Sequence, residues 1–434
     1  MNLQGTGEAG TGGPAYNPPR RNVRIVRGLE RSWTGLTFWK VCNHHTFRPF
    51  HQSDLLSELC KRQLVCGANC ARSRVVAVTC SSVVPKMAEG NPLWVLTSAH
   101  EKGGTLCVQA AARCREHLCG DCISFLEQVA QLDPRNSETQ YQLGICYGGG
   151  CRLHSLTNAD IAVEHFRCAL ALIGAGREPA LRASVANAMG NTCIRSSRST
   201  LRARIRMAIH CYEAAASLWL TQGDMLSWAM AEFNLGNACC ELPQEEFPDK
   251  WDQAVRHYEN ALHVRTQEND PERYAATLEN LGTAYRELRT GGRVGNVRRA
   301  IGCYRQALHI YTSSAFPLQN AALHNNLANA YLSLPTDNPA TTRRDVRRAL
   351  RHLGRALRVR SKTRYPSDYA SSQFNRGSAF LRLATASANP LKPLQEARIC
   401  FKEARKYFSR CGQDELADRA KELLKFIHPY LRAA

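Results

Sequence analysis

Along most of the chain, apolar positions recur with the period of a helix, in two alternating kinds of block. In AIGCYRQALHI, Ala300, Tyr304, Ala307 and Leu308 stand at i, i+4, i+7 and i+8, one apolar stripe of a helix. The other block, FNLGNACCEL at Phe233–Leu242, returns as ENLGTAYREL at Glu279–Leu288 and as NNLANAYLSL at Asn325–Leu334. Its small residue falls at Gly144, Gly190, Gly236, Gly282 and Ala328, always 46 residues apart, and a sixth copy puts Gly377 49 residues further on. The companion block follows each copy, led by Ala162, Ala208, Ala254, Ala300, Ala349 and Ala397. Between blocks lie ELPQEEFPDK, RTGGRVGN, SLPTDNPATT and ASANPLKP, whose Pro, Gly and Asn clusters interrupt helices. The pattern predicts six helix–loop–helix units in series, none able to bury its own apolar stripe.

Within a unit, the small residue of the first helix and two alanines of the second allow close approach, and an aromatic fills the gap between them. A Gly followed by an aromatic three residues later, then Ala, aromatic and Ala spaced by four and three, resembles the tetratricopeptide repeat. The resemblance covers Glu138 to Leu431. That family's unit is usually about 34 residues. Here the steps from Gly282 to Ala300 (18) and from Ala307 to Ala328 (21) are longer, as lengthened helices and loops would make them. GGRVGNVRRAIGCYRQALHIYTSSAFPLQNAALHNNLANAY is similar to the long-unit bacterial arrays of this type that often accompany caspase-like (CHAT) proteases. The resemblance implies an all-α fold: an α-solenoid of antiparallel helix pairs, with a concave groove lined by first helices.

One polar feature recurs that packing does not demand. Asn234, Asn280, Asn326 and Asn375 stand two residues before the small residue, and Asn191, Asn237 and Asn329 one residue after it. Positions three apart share a helix face, so stacked units present ladders of amides. In the resembled family these positions point into the groove and include asparagines that hold a peptide's backbone or terminal carboxylate. An amide suits that task because it both donates and accepts. The same amides could instead bridge adjacent helices, and the sequence leaves both readings open. The lysines of the family's carboxylate clamp are missing: Ser184, Met230, Ala276, Ala322 and Ser371, or Asn187, Phe233, Glu279, Asn325 and Phe374, stand in their places. Arg195, Arg286 and Arg382, one turn on, offer positive charge in their stead.

Charge sharpens the picture at one end. The formal net charge is +20, yet residues 131–340 are balanced and the last 94 residues carry +14. TTRRDVRRALRHLGRALRVRSKTR holds nine arginines and one lysine against Asp345. Arg344, Arg348, Arg351, Arg355 and Arg358 form one helical stripe opposite Leu350, Leu353 and Leu357. Such a stripe is either a solvated face in an arginine-rich chain (46 Arg against 11 Lys), a dock for an acidic protein, or a phosphate-binding row over Arg343–Arg364. Base reading would need stacking rings that this helix lacks.

The remaining third changes little. Residues 1–31 read as a Gly/Pro-rich tail with a basic strip (Arg20, Arg21, Arg24, Arg27, Arg31), either solvated or a mitochondrial leader, and they lack an apolar secretory core. Residues 32–130 form a Cys-rich segment without the repeat, with strand-like VVAVTCSSVV and PLWVLTSAH beside helical CISFLEQVAQL. WVLTSAH is similar to the histidine strand of trypsin-like proteases, but His100 has neither an orienting Asp nor room for a second barrel. Cys119 and Cys122, with Cys66 and Cys70, are weak metal-ligand candidates because the second pair has loose spacing. The 19 cysteines otherwise read as reduced thiols: Cys211, Cys303 and Cys400 share one helical slot, and Cys193 and Cys239 replace a core tyrosine. Residues 131–434 are then a six-pair array with a capping helix. The expected role is a non-catalytic cytoplasmic scaffold without cofactor or membrane span, binding a protein or peptide, acidic in one version, with nucleic acid as the alternative.

Overall fold

The computed structural model describes residues 119–150, 158–174, 176–336 and 338–432; residues 1–118, with the candidates His100, Cys66 and Cys70, and the side chains of Cys119 and Cys122 lie outside the described residues. The described residues form helices and no strand. In chain order they are α1 (Cys119–Leu132), α2 (Ser137–Ile145), α3 (Asn158–Ile173), α4 (Pro179–Cys193), α5 (Leu201–Thr221), α6 (Met225–Glu241) and α7 (Lys250–Val264). There follow α8 (Pro271–Glu287), α9 (Arg293–Ile310), α10 (Pro317–Ser333), α11 (Pro339–Val359), α12 (Pro366–Thr385), α13 (Leu391–Arg410) and α14 (Asp414–Arg432). A short π turn, Cys146–Gly150, extends α2. The chain divides into two compact units, whose described parts are residues 119–284 and 285–432.

In each unit a helix packs on the one that follows it: α2 on α3, α4 on α5 and α6 on α7 in the first, α10 on α11, α12 on α13 and α13 on α14 in the second. Short connections make such neighbours antiparallel. The expected all-α solenoid of helix pairs is what the described residues form. Residues Cys119–Leu132 are already helical, and Leu126 is buried with Leu143 and Cys146 of the first repeat. An isolated amphipathic helix gains little until its stripe is covered, so this one joins the array.

The seam within each pair explains the constant interval. A Cβ added at Gly190 would lie 2.6 Å from Cε1 of Tyr212, at Gly236 2.6 Å from Tyr258, and at Gly377 2.7 Å from Phe401. These distances are far inside van der Waals contact, so the first helix must show bare backbone to the ring. Ala328 breaks the rule, and the facing residue changes with it: Leu353 stands where the other units have an aromatic. Both are fully buried, a methyl gained on one wall and a ring lost from the other. The leading alanines of all six second helices are buried to within 5% or less.

Helix ends follow local chemistry. Asn338 Oδ1 accepts from Ala340 N (2.9 Å) and Thr341 N (3.1 Å), and Pro339 occupies the first position of α11. Arg293–Ile310 begins inside the expected breaker RTGGRVGN. There Asn296 donates to Thr290 O (2.6 Å) and Val297 is fully buried, so tertiary contacts override the low helix propensity of Gly295.

Candidate functional site

The asparagine row lies where its spacing implies, but its amides mostly hold one another. In the 119–284 unit, Asn234 Nδ2 donates to Asn187 Oδ1 across 3.0 Å, tying α6 to α4. Asn280 Nδ2 donates to Asn237 Oδ1 across 2.9 Å, tying α8 to α6. Tyrosine hydroxyls of the second helices complete the set: Tyr212 OH donates to Asn191 Oδ1 and Tyr258 OH to Asn237 Oδ1, both at 2.8 Å. In the 285–432 unit, Asn375 Nδ2 and Ser372 Oγ donate to Asn325 Oδ1 at 3.0 and 3.3 Å. Asn326 is buried as well. The pairs Asn187–Asn234, Asn237–Asn280 and Asn325–Asn375 thus fasten successive first helices to each other. A hydrogen bond inside the protein contributes about 0.5–1.5 kcal/mol, and leaving either partner unmatched costs more.

Asn329 is different. It is 2% exposed, and its Nδ2 has no hydrogen-bond partner among the described residues. The seam beside it differs as well: Asn191 and Asn237 each accept a tyrosine hydroxyl at Oδ1 from the second helix, whereas α11 offers Leu353. In the next unit Asn375 Nδ2 donates to Asn325 Oδ1, not to Asn329.

The arginines expected to charge the groove are also engaged. Arg382 donates to the carbonyls of Leu332 and of Leu334 (2.6 Å for the latter), closing the end of α10 from the neighbouring first helix. Arg195, in the turn after α4, does the same to Gly148 O. Helix C-termini leave carbonyls unpaired and carry partial negative charge, so a guanidinium satisfies both. Arg286 is 1% exposed and pairs with Glu287 at 3.0 Å. All three guanidiniums have partners within the chain.

Helix α11 keeps its charge outward. Arg344, Arg351, Arg355 and Arg358 are exposed and Arg347 joins them, while Arg348 is half-buried with its guanidinium 5.7 Å from the centre of the Tyr331 ring. Asp345, buried, accepts from Arg344 Nε at 3.4 Å and Arg348 Nη1 at 3.3 Å. A cavity of about 590 Å³ opens along this helix, lined by Ala340, Arg343, Arg344, Arg347, Leu350 and Arg351.

On the other flank of α11, His352 Nδ1 and His324 Nδ1 lie 3.1 Å apart, with Tyr331 stacked on His352. Burial and the surrounding guanidiniums (Arg355 and Arg358 at His324; Arg355, Arg305 and Arg351 at His352) push both imidazoles down to about 4. A neutral pair sharing one proton is the result. The sequence signal was present but unread. The slot before the second-helix aromatic runs His165, Cys211, His257, Cys303, His352, Cys400. Each histidine faces the first-helix residue four before the small one: Gln140 at 2.8 Å, Glu232 at 2.9 Å and His324. The cysteines of that slot are buried or half-buried free thiols, and Cys193 and Cys239 are buried too, as packing residues should be. Among the described residues no three His, Cys, Asp or Glu converge on a metal position, and no helix is long and apolar enough to cross a membrane.

No family model matches the chain, and no curated protein matches it either. Among solved structures it is similar to the apo form of RapI, at 13% identity and a TM-score of 0.44 over 69% of this chain and 99% of that one. It is similar to a Rap protein complexed with competence and sporulation factor, at 12% identity and 0.42 over 95% and 96% of the two chains. The human IFIT1 dimer with PPP-AAAA is similar at 16% identity and 0.34, covering 68% of each.

Proposed function

We propose that the chain is a non-catalytic interaction scaffold whose first-helix face in the 285–432 unit holds a peptide or helical partner. The unmatched amide of Asn329 carries this reading. A buried donor without a partner costs about 1–3 kcal/mol, and native proteins retain such groups rarely, mostly where something else requires them. Asn191, Asn234, Asn237, Asn280 and Asn375 each join two helices; the Asn329 Nδ2 has no partner among the described residues, and a peptide carbonyl is the natural acceptor for it. The donor is covered, so the side chain must turn outward on binding, a change common at interfaces. The resemblance to long-unit bacterial arrays makes a caspase-like protease one partner to test.

The two roles for asparagine separate by experiment. Asn329→Ala removes an unsatisfied group, so the free protein should keep or gain stability in urea while capture of a native partner in pull-downs falls. Asn237→Ala leaves Asn280 without its acceptor and Tyr258 with only the Cys240 sulfur, so it should lose about 1–3 kcal/mol. Should Asn329→Ala destabilise as Asn237→Ala does, or leave capture intact, the reading is lost. Nucleic-acid binding is the second reading, supported by the outward arginines of α11. It predicts retention on heparin that weakens steeply with salt.

A further inference from the structure

We infer that the outward face of α11 is a separate docking surface for an acidic peptide segment, gripped through Arg347 and Arg351. The surface is built, not merely charged. Arg343 Nη1 donates to Ala386 O at 2.7 Å, which fixes one wall of the 590 Å³ cavity. Buried Asp345 lies within ion-pair distance of Arg344 and Arg348, so the one carboxylate of the helix is already engaged at its root. Arg347 and Arg351 stand between these braced side chains, exposed and with no carboxylate in ion-pair range among the described residues. Four residues apart, they share a face with their Cβ atoms about 5–6 Å from each other. That spacing fits carboxylates one turn apart on a helix, or on alternate residues of a strand, within reach of long side chains. Leu350 and Ala340 supply an aliphatic floor for the stems of Asp or Glu side chains. The cavity begins in the first turn of α11, where the helix dipole favours anions. Guanidinium forks match carboxylates with two parallel hydrogen bonds, which gives such a site directionality as well as charge.

A polynucleotide would feel the same field but find less to hold. Among the described residues, no aromatic ring and no side-chain amide lines the cavity. Tyr331, the aromatic of the adjoining helix, is stacked by His352 and lies beneath Arg348. Base stacking and edge reading therefore have no platform there.

The test uses the full chain and a fluorescein-labelled oligoglutamate peptide, followed by anisotropy at low salt. The wild-type chain should bind, and Arg347→Glu with Arg351→Glu should weaken binding about tenfold or more, since each reversal turns attraction into repulsion. Arg167→Glu, an exposed control in the other unit, should bind as wild type does. Both altered side chains point to solvent, so far-UV circular dichroism should be unchanged. Oligoglutamate affinity unaffected by the double reversal overturns the proposal. An oligothymidylate of equal charge that binds more tightly at the same salt also overturns it, in favour of nucleic acid. The Asn329→Ala chain should bind oligoglutamate normally, so failure of the first-helix reading and failure of this one are separable.

Discussion

Gly236 shows how one methyl sets the distance between two helices. Its absent Cβ would lie 2.6 Å from the Tyr258 ring, and that ring is fully buried, so it has nowhere to go. In an open helix Gly→Ala would add about 0.5–1 kcal/mol of stability. Overpacking a rigid seam costs about 1–3 kcal/mol, so here the loss wins. Gly236→Ala should therefore lower the urea midpoint, and adding Tyr258→Leu should recover part of it, because the pair then copies Ala328 and Leu353. If the double variant is worse than the sum of the two single ones, ring and methyl are not what sets the spacing. His324 and His352 supply a second residue-scale prediction. Both are held near 4, below the usual histidine value of about 6.5, so between those limits the unfolded chain binds more protons than the folded one. Stability then rises with pH through that window, is complete above about 6.5, and falls away on acidification towards about 4. Replacing His352 with Phe should flatten the pH dependence of the urea midpoint across pH 4–6.5; an unchanged slope would mean that other groups carry it.

At the scale of elements, successive first helices are joined by two devices: the amide row and the arginine that reaches back to the preceding helix end. Arg382 closes α10 through Leu332 O and Leu334 O, and Arg195 closes the π turn after α2 through Gly148 O. Removing Arg382 leaves carbonyls at the end of α10 without their donors. Arg382→Ala should cost about 1–3 kcal/mol and speed amide exchange in the last turn of α10 well before that in α14. Protection unchanged at Tyr331–Leu334 would show the arginine to be dispensable there. This element-scale role explains what the sequence did and did not disclose. Gly, aromatic and alanine positions repeat because a seam repeats, and a pattern of that kind is written directly into residue spacing. Whether Asn234 faces a guest or Asn187 depends on the offset between neighbouring helices, which no single helix encodes. The altered seam beside Asn329 was legible, because ALRHLGRAL lacks the aromatic of its five counterparts. The unmatched Nδ2 of Asn329 was not, because an acceptor for it depends on the placement of neighbouring helices.

For the molecule as a whole, each compact unit carries its own core. In the 285–432 unit, Phe374, Phe401 and Phe408 pack with Leu394, Leu423 and Ile427. In the 119–284 unit, Phe166 and Tyr212 pack with Val185, Ile205 and Leu235. In an array, contacts are made between sequence neighbours, so stability is close to a sum of local pieces and a disturbance decays along the chain. A single unfolding free energy is then an incomplete description. The consequence can be measured with the seam variant already described. Gly236→Ala strikes the 119–284 unit, where α6 packs on α7 and on α5. Native-state hydrogen exchange should rise most in α5–α7, by about tenfold for each 1.4 kcal/mol lost, and little in α12–α14. Phe401→Leu should do the reverse, loosening α12–α14 and leaving α5–α7 nearly as protected as before. Docking on α11 would likewise protect its own neighbourhood first, so adding oligoglutamate should slow exchange in α10–α12 without touching α4–α6. Were either variant to raise exchange evenly from α1 to α14, the chain would be one cooperative block, and the locality on which both docking surfaces depend would be absent.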